Sequence, residues 1–280
     1  MSRFTKNRVF KTSIIAVIII AVGSLTYLFL WGKLFPYSPV KIGFSKQELS
    51  NIIIYVQNGT EHRDLSVIDG YIPAVAKWHE LQFRRKPEIF VFRDRKSYLR
   101  RSVTKARFCA YPNGSVVISP WALKEAEEGK ISLEIYLKHE LSHTLLHQHM
   151  GIPASYIYFP RWLLEGIAMY SANQMGTSWY PGKKETYAYI KQGNFIIPSD
   201  YTTQRGEKTV LNVKYRIAFI YSEFGCIVDY LITTYGKEKF MEYMKQLLVD
   251  NNHDRVFKQI YGIGFDAFLQ DFKRHVYASV

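Results

Sequence analysis

His139-Glu140-Leu141-Ser142-His143 decides the reading of this chain, because it spells H-E-x-x-H inside a stretch with the pattern of a helix. Histidines four apart sit about 40° apart around an α-helix and one turn along it, so both imidazoles reach one metal ion. The glutamate beside the first histidine points toward the same space, where it can take a proton from water activated by that metal. The flanking residues agree. Residues 131–150 contain neither Pro nor Gly, and Leu137, Leu141 and Leu145 recur at i, i+4 and i+8 as a core-facing stripe. His139, His143 and His147 form a second stripe beside it. Gly129-Lys130 before the stretch and Gly151-Ile152-Pro153 after it punctuate a helix.

Further along, Pro160-Arg161-Trp162-Leu163-Leu164-Glu165-Gly166-Ile167-Ala168-Met169-Tyr170 reads as a second helix with Pro160 in its first turn. Glu165 sits among apolar neighbours, and a buried carboxylate needs a cation or strong hydrogen bonds to remain ionised. It follows His143 by 22 positions, enough for one helix to end and a second to return antiparallel. Two histidines and one carboxylate, with a fourth position left for water, form the ligand set of a catalytic zinc. A salt bridge from Glu165 to a neighbouring Lys or Arg is the other reading of that residue alone.

These two segments together resemble the gluzincin metallopeptidases, specifically the compact bacterial peptidase MA-like domains. The resemblance rests on His139-Glu140-x-x-His143 and on Trp162-Leu163-x-Glu165-Gly166-x-Ala168-x-Tyr170, and extends from about Pro87 to about Leu248. Arg85 to Phe92 is similar to the family's early strand, with a helix starting near Lys96. Tyr221 to Leu231, leading to Tyr235-Gly236, is similar to its later helix. The resemblance implies one Zn²⁺ held by His139, His143 and Glu165, with Glu140 as general base. It also implies a Tyr that donates to the oxyanion of the transition state, which places Tyr221 there and Tyr215 in reserve.

The chain departs from better-known relatives in two places. An acidic residue often follows the third ligand by four positions and orients a zinc-binding histidine; here that position is Met169. No Gly-x-Met-x-Asn run occurs, so the aminopeptidase N signature is missing. A metzincin reading would use His149 as third histidine, but it requires Gly where Leu146 stands, and on a continuing helix His149 lies about 240° around from His143. His147 shares the ligand face one turn on, and reads as a rim or solvated histidine.

The second signal is topological. Residues 12–32 carry no charge, and Ile14 to Trp31 is almost wholly apolar, about 30 Å of helix and so a match to a bilayer core. Arg3, Lys6, Arg8 and Lys11 precede it without an acidic residue. The positive-inside rule then predicts a cytoplasmic head (1–11), one membrane-spanning signal anchor (12–32), and an extracytoplasmic domain (34–280) at the cell membrane. Ala21-Val22-Gly23 offers a small-residue cleavage site, but the apolar run continues past it to Leu30.

Net charge is +13; without Arg3, Lys6, Arg8, Lys11 and Lys33 the remainder holds 32 basic against 24 acidic residues, or +8. Such a surface suits anionic lipid or an acidic wall polymer. No nucleic-acid recognition motif is present, and nucleic acid is not expected as a partner. Cys109 and Cys226 are the only cysteines, free or bridged.

For the fold, the pattern predicts α+β: a zincin-like domain with a small mixed sheet, the H-E-x-x-H helix and a mainly helical C-terminal half, after one transmembrane helix. Strands are expected at Ile52–Val56 and at Ser115–Ser119. In gluzincins the strand just before the catalytic helix is an edge that pairs with extended substrate, though this one reads equally well as buried. A mostly helical stretch runs from Ser66 to Phe83, Gly176 to Thr209 flanks the cleft, and helices follow near Val213–Tyr235, Lys237–Val249 and Gly264–Ala278. The function expected is a membrane-anchored zinc endopeptidase acting on peptide or protein. The alternatives are a non-catalytic surface protein that keeps the fold, and a zinc hydrolase of cell-wall amides.

Overall fold

The computed structural model describes residues 3–61, 63–151, 157–201 and 210–279, with side chains from residue 10 onward. Ile152-Pro153, the far end of the Gly176–Thr209 stretch and the basic side chains of Arg3, Lys6 and Arg8 lie outside the described set. Helix α1 (Arg3–Leu30) contains the apolar run, and from Phe10 to Leu30 none of it is buried against the rest of the chain. The backbone then passes straight into a 3₁₀ turn at Phe35–Tyr37. Trp31 and Gly32 donate to the Tyr27 carbonyl, and Leu34 donates to that of Leu28.

A five-stranded mixed sheet follows: β1 (Phe44–Glu48), β2 (Ile53–Gln57), β3 (Glu88–Val91), β4 (Phe108–Ala110) and β5 (Ser115–Ile118), in the order β1-β2-β3-β5-β4. β2, β3 and β5 run parallel, and β1 and β4 are antiparallel edges. The parallel strands need crossovers, supplied by α2 (Tyr71–His79) between β2 and β3 and by α3 (Arg95–Arg101) between β3 and β4. The pleat sorts their residues. Ile89, Val91, Val116 and Ile118 face a core made with Leu137, Leu141 and Leu145, while Phe90, Phe92 and Val117 face Phe35 and Tyr98 on the other side.

Helix α4 (Pro120–Glu127), capped by Ser119, leads to α5 (Leu133–Met150), which carries H-E-x-x-H and is capped by the Ser132 hydroxyl. Helix α6 (Arg161–Ser171) packs between α5 and the long α8 (Arg216–Tyr235). Helices α7 (Lys183–Lys191), α9 (Lys237–Leu247), α10 (His253–Tyr261) and α11 (Phe265–Ala278) complete a helical half. Its core is aromatic: Trp162, Phe224, Tyr243, Phe257, Phe265 and Phe268 lie in one buried cluster.

The architecture is the expected α+β, with five added elements, β1, β4, α4, α7 and α10, and with the two readings of the Ser115 strand resolved. Ser115–Ile118 is an interior strand, buried throughout and paired on both sides; the edge on that flank is β4. Phe108-Cys109-Ala110 is silent in the sequence because three residues give no alternation to detect. β1 is silent for another reason: as an outer edge it is exposed nearly throughout, so Phe44-Ser45-Lys46-Gln47-Glu48 has no buried face. Helices α4, α7 and α10 are the other additions.

Gly166 sets how closely α6 approaches α8. A Cβ there would lie 2.6 Å from the Phe224 carbonyl oxygen and 2.9 Å from Val228 Cγ2. Backbone cannot yield that space, so Gly166→Ala is expected to cost about 1–3 kcal/mol and to lower the apparent thermal midpoint by about 5 °C. Gly70→Ala, where a Cβ meets nothing within 4 Å, should stay close to the parent. Circular dichroism melts of the two variants check this.

Candidate metal centre

Helix α5 positions two ligands through the stripe beside them. Leu137, Leu141 and Leu145 are fully buried, which fixes the rotation of the helix and turns His139, His143 and His147 toward a cleft. A further clamp comes from α2. His79 Nδ1 lies 2.9 Å from the Val75 carbonyl oxygen and its Nε2 lies 2.8 Å from the Ser142 hydroxyl. A carbonyl only accepts, so Nδ1 carries the proton and Nε2 accepts from Ser142. Burial pushes His79 down to about 4, so the ring stays neutral in this role. Ser142 thus holds α5 between its two metal-facing histidines, a contact with no signal in the sequence.

Helix α6 returns antiparallel and delivers Glu165. His139 Nε2 and His143 Nε2 lie 3.0 Å apart, and Glu165 Oε2 lies 3.4 Å from each. A tetrahedral zinc with nitrogen and oxygen bonds near 2.0–2.1 Å has ligand-to-ligand edges of about 3.3 Å. The spacing of the three atoms is therefore compatible with three corners of a zinc tetrahedron. Their chemistry agrees: Glu165 Oε2 is buried without a hydrogen-bond partner, and two imidazole nitrogens face each other at contact distance. Among the described residues no other group of three His, Cys, Asp or Glu side chains converges in this way.

The electrostatics are those of a site built for a cation. Burial alone would raise the Glu165 carboxyl, but the charge of His143 and the two imidazoles beside it hold it well below the usual carboxylate range. Burial alone would lower His143, yet the Glu165 charge carries it above its ordinary value. Each group shifts the other toward its charged form, as oppositely charged neighbours do.

The remaining sequence candidates lie in the same cleft, a cavity of about 770 Å³. Glu140 Oε2 accepts a 2.6 Å hydrogen bond from the Ala110 amide, tying the carboxylate to edge strand β4. Tyr221 extends from α8 with its ring nearly parallel to that of His139, centroids 6.3 Å apart. Burial, with Glu165 nearby, pushes its phenol far up, so it is a permanent donor. Tyr215 also lines the cleft but is 48% exposed at its rim.

Other residues are corrected or placed. His147 is buried, not solvated: its ring stacks on His143 at 6.3 Å, and burial lowers it to about 4. His149 turns away from the site and meets the Gln82 carbonyl at 2.9 Å, as helical geometry requires. Met169 is fully buried, and Nδ1 of His139 and of His143 have no hydrogen-bond partner among the described residues. Cys109 and Cys226 are both free thiols: Cys109 lines the cleft, and Cys226 lies in the helical core 3.8 Å from Met175 Sδ.

No protein-family model matches the chain, and no curated protein matches it. Among solved structures it aligns with an M1 zinc metallopeptidase from Deinococcus radiodurans at 14% identity and a TM-score of 0.45, over 82% of this chain and 50% of that one. A point mutant of the same enzyme aligns at 13% identity and a TM-score of 0.43, over 84% and 51%. The chain spans about half the length of either.

Glu165→Ala removes one corner of the tetrahedron and leaves two. Zinc affinity is expected to fall by about a hundredfold or more, since changes one layer further out already reach that scale. Competition against a chromogenic chelator, with circular dichroism to show a retained fold, measures it.

Proposed function

We propose that the chain is a zinc-dependent metallopeptidase of gluzincin type, anchored in the cell membrane by α1 with residues 34–280 on the extracytoplasmic side. The observation that carries this reading is the convergence of His139, His143 and Glu165 at 3.0–3.4 Å in a cleft that also holds Glu140. The three would hold one Zn²⁺, which supplies Lewis acidity toward water and a substrate carbonyl.

The chain's own residues account for the rest. Edge strand β4 binds an extended peptide. Arg107 and Tyr111 hydrogen-bond to β5, so the alternation of an antiparallel pair turns the backbone groups of Phe108 and the Ala110 carbonyl outward, while the Ala110 amide is held by Glu140. Glu140, steered by the Ala110 amide, takes a proton from the attacking water. It returns that proton to the amide nitrogen as the C–N bond breaks and the new C–O bond stands. The Tyr221 hydroxyl donates to the oxygen that becomes negative when the carbonyl is attacked. His147, neutral in the cleft wall, stacks on the His143 ring and steadies it.

Endopeptidase action fits the charge inventory better than removal of N-terminal residues. The only acidic side chains among the described residues lining the cleft are Glu140 and Glu165, and both are committed. Among the described residues no further carboxylate lines the cleft to receive an N-terminal ammonium.

Glu140→Gln keeps the shape and removes the base. Peptide-library digestion by the detergent-solubilised chain, read by mass spectrometry, should show chelator-sensitive cuts. Those cuts should fall by about 10²–10⁴-fold in the variant with zinc content unchanged. Cleavage that survives the substitution or the chelator overturns the reading; zinc binding with no cleavage favours the binding-protein alternative.

A further inference from the structure

The junction between α1 and the domain has no linker. Three residues past the end of α1, the Lys33 ammonium donates to the Leu99 carbonyl and, at 2.7 Å, to that of Ser102, at the C-terminal end of α3. Two residues further, Phe35 is fully buried against Phe44, Phe90 and Phe92, with the Arg101 guanidinium 4.6 Å from its ring centroid. Where α1 leaves a membrane, therefore, the C-terminal end of α3 is fixed beside it. The headgroup layer on each side is about 5–8 Å deep, so that end of the domain sits at headgroup level. The Tyr27 and Trp31 rings, 6.4 Å apart, mark the same boundary.

What the domain presents there is basic. Between Arg93 and Arg107 the chain carries seven basic residues and one acidic, Asp94. Arg101 is buried and Arg107 is paired with Glu125, but Arg95, Lys96, Arg100 and Lys105 are exposed. Val103, 63% exposed, follows the end of α3 between Arg100 and Lys105 in the chain. An exposed apolar side chain flanked by cations at the foot of a membrane helix matches an anionic lipid surface in both charge and polarity.

The same segment is the lip of the cleft: Thr104, Ala106 and Arg107 line it. Ala106 is four residues from Ser102, so the lip lies within about 14 Å of the Lys33 contact even with the chain fully extended. We propose that the face formed by the end of α3 and residues 102–107 docks on anionic phospholipid, and that the cleft takes extended polypeptide held at that surface, such as the membrane-proximal stretch of another protein. This rests on reading α1 as an anchor and the cleft as a peptidase site.

The test uses the full chain in vesicles of phosphatidylcholine alone or mixed with phosphatidylglycerol, with nitroxide-bearing headgroups as quencher. A fluorophore goes on Val103→Cys, or on Val249→Cys as a control that is 86% exposed beyond α9; the labelled parent corrects for Cys109 and Cys226. The Val103 label should be quenched and the Val249 label not, in anionic vesicles and at low salt. Lys96→Glu/Arg100→Glu/Lys105→Glu should weaken docking about a hundredfold, since each basic residue at an anionic leaflet contributes a factor of about five. Equal quenching at both positions, in protein that still floats with vesicles after an alkaline wash, overturns docking while the anchor stands. Loss of flotation overturns anchor and docking together. Quenching abolished by soluble poly(glycerol phosphate) points instead to an acidic polymer and overturns the lipid assignment. For the substrate, a peptide on a short lipid tether should be cut faster than the same free peptide by the parent only, with free-peptide cleavage unchanged in the charge-reversed variant. Equal rates overturn the substrate assignment, and cleavage of neither peptide overturns the peptidase reading, with quenching still reporting on docking.

Discussion

A carboxylate withdrawn from water between two imidazoles is the constraint on which the rest of this structure depends. The Glu165 side chain is only 12% exposed, its Oε2 is 3.4 Å from both His139 and His143, and no amide or hydroxyl among the described residues compensates for its lost hydration. Isolated burial of such a charge costs several kcal/mol or more. The two imidazoles beside it offset only part of that cost. A divalent cation resolves the conflict with one ion for three ligands, and the spacing already suits it.

Holding three groups in that arrangement requires rigid surroundings, and each helix contributes a specific contact. Gly166, adjacent to Glu165, lets α6 touch the α8 backbone at Phe224; a turn away on α8, Tyr221 comes to face His139. His79 holds α5 through Ser142, between the two histidines. The Ala110 amide holds Glu140. Nothing comparable reaches the Nδ1 atoms of His139 and His143, which have no hydrogen-bond partner among the described residues; their ring orientation depends on packing, including the stack of His147 on His143.

How much of this is legible in the chain follows from the physics of each signal. H-E-x-x-H on a leucine-striped helix is local, so spacing alone aligns His139, Glu140 and His143. Glu165 requires pairing two helices across 22 residues, and is readable because an acid in an apolar run must find a cation or hydrogen-bond donors to stay charged. Tyr221 comes from resemblance, since nothing about one tyrosine among 21 marks it. His79 and the Ala110 amide are invisible, because a contact spanning 63 residues, or one made by a backbone N–H, leaves no periodic trace. The sheet edge is ambiguous for a related reason: pairing partners are non-local, and Ser115–Ile118 looks the same in sequence whether or not β4 covers it.

The junction at Lys33 and Phe35 bears on specificity more than any pocket residue does. A flexible tether lets a catalytic domain sample a volume, and selectivity must then come from side-chain contacts in the cleft. Here the first residues after the apolar helix belong to the domain core, with no linker between helix and domain. With the helix in a bilayer, the distance and tilt of the cleft relative to lipid become fixed properties of the fold. A substrate strand must then arrive at that height to pair with β4, whatever its sequence. On the proposed reading a cleft with few distinctive recognition groups is no defect: the membrane would restrict which polypeptides reach β4, and the edge strand would have only to hold a backbone.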